Sequence, residues 1–237
     1  MKKSSGSVYL LTSLLTAFVA FSFWEMISSN KDALIKLLEI SQTSFRFGLF
    51  LLGIALSYGF FITINSLLIF LCNTFPKVKK FLLRDMNFDG IWGGGYVYKG
   101  EIRLLIIEIN QGINGESDFA VNGTVYSEDG KYLGKMNHKS VTADTEKKLF
   151  DFTYSASTIN HPESMEGLYR GNYSVDKDKM PYKIEGYAFQ TKVEGTYNML
   201  TYKLPPEEIQ LADSGKQLEY IKEKYFDKLK VYFNVPG

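Results

Sequence analysis

The stretch that most constrains this chain is Phe45 to Cys72, FRFGLFLLGIALSYGFFITINSLLIFLC. After Arg46 no charged residue occurs until Lys77. About 20 apolar residues suffice for a helix to cross the hydrocarbon layer of a bilayer, and this run exceeds that length. It reads as a transmembrane helix. A second apolar run, Val8 to Ile27, comes before it and follows Lys2 and Lys3. Basic residues ahead of an apolar run also describe a signal peptide. This run, however, shows no clear small-residue cleavage site and ends in Phe23-Trp24. Trp at the end of an apolar stretch suits the membrane interface, so a retained first helix is expected.

The polar connector from Ser28 to Ser44 contains an amphipathic ALIKLLEI, which either runs along the interface or extends the first helix. Six Lys/Arg flank the outer ends of the pair (Lys2, Lys3, Lys77, Lys79, Lys80, Arg84), against three in the connector (Lys31, Lys36, Arg46). That excess places both termini, and everything after the helices, on the cytoplasmic side. Pro76 marks a break after the second helix. The Lys cluster beyond it either faces anionic headgroups or serves only to set topology.

Charge divides the chain. Met1 to Asp85 holds nine Lys/Arg and four acids; the remainder holds eighteen and twenty-two. A mildly acidic second part argues against a general DNA or RNA surface. The lone cysteine, Cys72, excludes a disulfide within the chain and fits a reducing compartment. With only His138 and His161 and no Cys/His cluster, no zinc site is expected, and both histidines read as solvated loop residues.

From Gly90 the hydrophobic period changes to that of strands. Runs rich in Tyr, Val, Ile, Phe and Thr cover Ile91–Tyr98, Glu101–Asn110, Asp118–Ser127, Lys131–Val141, Lys147–Ser157, Glu166–Val175, Tyr182–Phe189 and Val193–Tyr202. Turn signals separate them, among them Lys99-Gly100, Asn114-Gly115 and Asp129-Gly130. Eight short strands in succession predict an up-and-down antiparallel barrel or a sandwich. An eight-stranded barrel is just wide enough for one small ligand. After Pro205-Pro206, Glu207 to Phe233 reads as a helix with Leu218, Ile221, Tyr225 and Leu229 on one face. It is expected to pack on the barrel wall or to close one mouth.

No Gly-rich loop precedes Lys-Ser/Thr, and no Ser sits in a Gly-x-Ser-x-Gly turn, so no enzyme and no cofactor are expected. Strand parity instead suggests a pocket. Trp92, Tyr96 and Tyr98 share one face, with Gly94 between them; Tyr169 and Tyr173 share another, around Gly171; Val193, Tyr197, Met199 and Thr201 share a third. Large rings spaced by glycine suggest a cavity where flat groups stack, although the same rings could simply fill the barrel. Only two arginines follow residue 84, Arg103 and Arg170, and Arg suits bidentate phosphate contact. Arg170 has the opposite parity to Tyr169, so it would act at the rim.

The layout resembles the two-transmembrane, β-strand-rich effectors of cyclic-oligonucleotide-based antiphage signalling (CBASS). The resemblance is carried by the two apolar helices, the basic segment Lys77–Arg84 and the strand opening Asp89-Gly90-Ile91-Trp92-Gly93-Gly94-Gly95-Tyr96. Gly90-Ile91-Trp92 also looks like the first-strand signature of lipocalins. The expected fold is membrane-anchored and all-β: two N-terminal transmembrane helices (1–75), a basic linker (76–88), an eight-stranded antiparallel lipocalin-like β-barrel (89–204) and a C-terminal helical segment (205–237). The resemblance implies a barrel that senses a cyclic dinucleotide made by a partner nucleotidyltransferase. Binding would drive homo-oligomerisation, disruption of the bacterial inner membrane and cell death. The alternative is a membrane-anchored carrier or sensor of a small apolar ligand. The ligand-contact residues expected from parity are Trp92, Tyr96, Tyr98, Arg103, Tyr169, Arg170, Tyr173, Tyr197 and Thr201.

Overall fold

The structure, a computed structural model, describes residues 3–38, 41–112, 119–159, 165–190, 193–205 and 214–235. The chain divides into two compact units, Lys2–Leu82 and Leu83–Gly237.

In the first unit, α1 (Lys3–Ser29) and α3 (Gln42–Thr74) pack on each other and are joined through the short α2 (Lys31–Leu38). Ser41 caps α3, its hydroxyl accepting from the Ser44 amide. Two segments, Leu10–Ser29 and Phe47–Thr74, are long and apolar enough to cross a bilayer, with mean hydropathies of 1.7 and 2.1. Phe18, Phe21, Phe47, Phe50 and Phe70 are exposed on them, a surface that suits lipid rather than water. Pro76 does end α3, but it also starts α4 (Pro76–Leu83). Proline fits the first turn of a helix because its missing N–H would have no partner there. Lys2 and Glu39 lie outside the described residues.

The second unit opens with a 3₁₀ turn, Arg84–Met86, and continues as β1 (Gly90–Tyr98), β2 (Glu101–Gln111), β3 (Phe119–Tyr126), β4 (Tyr132–Asp144), β5 (Leu149–Thr158), β6 (Met165–Val175), β7 (Pro181–Gln190) and β8 (Val193–Lys203). Each strand pairs antiparallel with the next, and β8 returns to β1 through Trp92↔Lys203 to Tyr96↔Met199. The sheet is therefore a closed up-and-down barrel rather than a sandwich. Asn114-Gly115, Asp118, His161 and 206–213 lie outside the described residues. His138 is no loop residue. It lies in β4, beside the bulge between His138 and Ser140, and its Nδ1 accepts the Val121 amide at 3.0 Å.

One parity of each strand fills the interior: Leu105, Ile107 and Ile109 from β2, Val121 from β3, Phe150, Phe152 and Tyr154 from β5, Tyr169 and Tyr173 from β6. The other parity is mixed, with exposed Tyr187 and Phe189 on β7, and is continuously apolar on β1, β2 and the end of β8. There Ile91, Ile102, Leu104, Ile106 and Leu200 lie under α5 (Ser214–Phe233), which seats Leu218, Ile221 and Leu229 on them. The helix thus takes the wall position. Tyr225 lies on the same face, packed against this cluster with its ring stacked on Tyr202, centroids 4.6 Å apart.

The triglycine of β1 has two jobs. A Cβ on Gly94, facing in, would strike the backbone of β8 at Leu200 and Thr201, so the wall turns sharply there. Gly93 and Gly95 face out. A Cβ on Gly93 would come within 2.5 Å of the Ile221 side chain, and one on Gly95 within 3.3 Å of Leu229. These glycines let α5 lie close to the sheet. Gly93→Val should therefore cost about 1–3 kcal/mol through overpacking. Denaturant unfolding of the full chain in detergent measures it; an unchanged midpoint would show that α5 is not seated over Gly93.

Candidate ligand-binding site

The two ends of the barrel differ. At the end where β1 begins, residues 84–89 form a stopper. Phe88 is fully buried, stacked on Phe150 at 4.4 Å and edge-on to Tyr173 at 4.9 Å. Its N–H donates to Gln111 Oε1 at 2.9 Å, and its carbonyl accepts from Trp92 Nε1 at 2.8 Å. Lys203 lies over the Trp92 ring and donates to the Asn87 carbonyl, and Lys148 pairs with Asp85 at 3.1 Å. The segment read as linker is, from Met86 on, part of the barrel core.

This decides several expected contacts. Trp92 is fully buried and Tyr173 nearly so, both packed on Phe88 at the stoppered end. Neither ring meets a ligand there without the stopper leaving. Thr201 is buried in the wall, its hydroxyl donating to the Ile184 carbonyl at 3.4 Å. Arg170 is neither inside nor at the rim. It stands on the outer wall, its Nε 2.9 Å from Asp151 Oδ2, because its parity faces solvent along the whole strand.

Four expected residues do come together, at the opposite end. Tyr96, Tyr98 and Arg103 face inward from the β1–β2 hairpin, with Tyr96 directly opposite Arg103. Tyr197 of β8 closes on them, 6.0 Å from the Tyr96 ring and 5.6 Å from the Tyr98 ring. Arg103 Nη2 donates to Glu101 Oε2 at 2.6 Å; the arginine side chain is 20% exposed and the glutamate 67%. Residues 160–164 and 191–192, which join strands at this end, lie outside the described residues.

Below the rings is a cavity of about 50 Å³. Thr158 and Gln190 are polar residues of its lining, Lys135 and Ser157 border it from strands on which their own side chains face out, and its floor comes from Met136, Phe152, Tyr169 and Met199. Pockets for drug-sized ligands are about 300–1,000 Å³. Of the two expectations, a cavity between glycine-spaced rings or rings that fill the barrel, the second describes Tyr169. The glycines are sockets already filled: the Tyr154 ring lies over Gly167, and the Tyr169 ring over Gly171. A nucleotide-sized ligand would have to lie across the mouth and dip in only partly.

Parity missed Tyr154 and Gln190, whose side chains bond to each other at the mouth. Tyr154 had a signal, since it continues the inward row of Phe150 and Phe152. Gln190 had none, lying beyond a bulge at the end of β7.

Burial governs the phenols. Tyr96 is pushed up to about 12, chiefly by desolvation and then by Tyr154, with the Arg103 guanidinium pulling the other way. Tyr169 and Tyr173 are raised further by burial, and neither hydroxyl has a hydrogen-bond partner among the described residues. Because the folded values lie above the unfolded value of 10, the unfolded chain ionises first. The contribution of these phenols to stability should be constant below about pH 10 and fall above it, by up to about 1.4 kcal/mol per pH unit for each of them. Alkaline titration of tyrosinate absorbance checks this. The interior phenols should ionise together with loss of near-ultraviolet dichroism; their ionisation in a folded barrel near pH 10 would contradict it.

Among the described residues no group of three or more His, Cys, Asp or Glu is placed to hold a metal ion. No family model and no curated protein matches the chain. Among solved structures it is similar to a de novo designed fluorescence-activating β-barrel, at 12% identity and a TM-score of 0.32, over 49% of this chain and 94% of that one. A likeness that distant carries no argument about ligand or activity.

Proposed function

We propose that this chain is a membrane-anchored, non-enzymatic effector of a CBASS antiphage system, whose barrel reads a cyclic dinucleotide at its tyrosine-lined mouth. The observation that carries the reading is Arg103 set among Tyr96, Tyr98 and Tyr197. A cyclic dinucleotide presents anionic phosphates and flat bases. Arginine is suited to the first, and each base stacked on an aromatic ring contributes about 1–3 kcal/mol. The Glu101 partner of Arg103 is mostly exposed, so a phosphate displaces it at a cost of at most about 1 kcal/mol.

A ligand drives assembly only by binding the assembled state more tightly. Helices that hold all copies in one membrane raise their effective concentration and favour that step. Assembly then clusters the apolar helices, disrupts the bacterial inner membrane and kills the infected cell, with the barrel and both termini in the cytoplasm. A second reading, a carrier or sensor of a small apolar molecule, is favoured by the apolar floor of Met136, Phe152 and Met199.

The test reconstitutes the full chain into dye-loaded vesicles and adds a panel of cyclic dinucleotides. One of them should release the dye. Release by none of them contradicts the effector reading.

A further inference from the structure

We propose that α4 lies flat in the headgroup layer of an anionic bilayer. It starts at Pro76, two residues after the apolar segment Phe47–Thr74 ends. If α3 spans, α4 is delivered to the interface by its covalent link alone. Its residues suit that place. At about 100° per residue, Val78, Phe81 and Leu82 share a sector about 100° wide. Phe81 is 65% exposed, as large an apolar exposure as most on the spanning segments, and Phe75 just before it is 50% exposed.

Lys77 and Lys79 stand on either side of this sector, where their stems can lie along apolar surface with the ammonium groups among phosphates. Lys80 points away from it. A basic helix with an aromatic-bearing apolar stripe is the pattern of interfacial helices, and basic residues beside a span are drawn to anionic lipid. The occupant of the Val78/Phe81/Leu82 face is therefore the acyl–headgroup boundary. Lys77, Lys79 and Lys80 thereby acquire a role beyond setting topology: they hold the start of the second unit to the lipid surface.

The proposal rests on the spanning reading of α3, and the test separates the two. In full chain carrying Cys72→Ser, single spin labels are placed through Val78→Cys, Lys80→Cys and Ile54→Cys, and the protein is reconstituted in vesicles containing phosphatidylglycerol. Collision with oxygen and with a water-soluble nickel complex is then compared. Ile54→Cys should favour oxygen strongly, Val78→Cys should favour it several-fold more than Lys80→Cys, and that contrast should shrink in purely zwitterionic vesicles. Equal nickel access at positions 78 and 80, with Ile54→Cys still in the bilayer, overturns the proposal alone. Nickel access at Ile54→Cys overturns the spanning reading and the proposal with it.

Discussion

Phe88→Ala should lower the stability of the barrel by about 3–5 kcal/mol, the usual cost of emptying a buried phenylalanine site. The side chain is fully buried among Phe150, Tyr173, Trp92 and Phe119. The two hydrogen bonds at this residue, from its N–H to Gln111 and from Trp92 to its carbonyl, use backbone atoms and survive the substitution. What is lost is the ring, and rings on three sides leave the void little room to collapse. For a domain of this size the loss corresponds to a fall of roughly 10 °C in Tm. Thermal and denaturant unfolding of the full chain in detergent, followed by near-ultraviolet dichroism, measures it. A loss below about 1 kcal/mol would show that residues 84–89 do not seal this end.

Arg103→Ala should weaken binding of the cyclic dinucleotide by about tenfold to over a hundredfold, the range for a charge-assisted hydrogen bond of ~1.5–3 kcal/mol. The side chain projects inward at the strand end, so its removal leaves no cavity in the core. Stability should hardly move, which separates this variant from Phe88→Ala. Glu101→Gln should act in the opposite direction, because it releases the guanidinium from its 2.6 Å partner. An affinity that falls in Glu101→Gln, or stays constant in Arg103→Ala, would remove Arg103 from the site.

Much of the architecture was legible because it rests on periodicity. The uncharged run Phe47–Cys72 and the alternation in Phe150, Phe152 and Tyr154 each admit one regular structure. The face of α5 was legible for the same reason, and Leu218, Ile221 and Leu229 do pack together. The site was less legible because parity says which way a side chain points but not how deep it lies. Trp92, Tyr96 and Tyr98 all face inward, yet one is sealed behind Phe88 and two stand at the mouth. Nor does parity tell an empty glycine notch from an occupied one, and Gly167 and Gly171 are occupied by Tyr154 and Tyr169. Phe88 was misplaced because it lies outside any strand and joins the core through a single turn. Arg170 reached the outer wall because no bulge re-aims it before Ser174.

The most direct test of the account is calorimetric titration of the full chain in nanodiscs with a panel of cyclic dinucleotides, repeated with Arg103→Ala and Tyr197→Ala. The account predicts heat from at least one ligand, greatly weakened in both variants, with unfolding of the barrel unchanged. Absence of heat from every ligand, or binding that both variants leave intact, would contradict it.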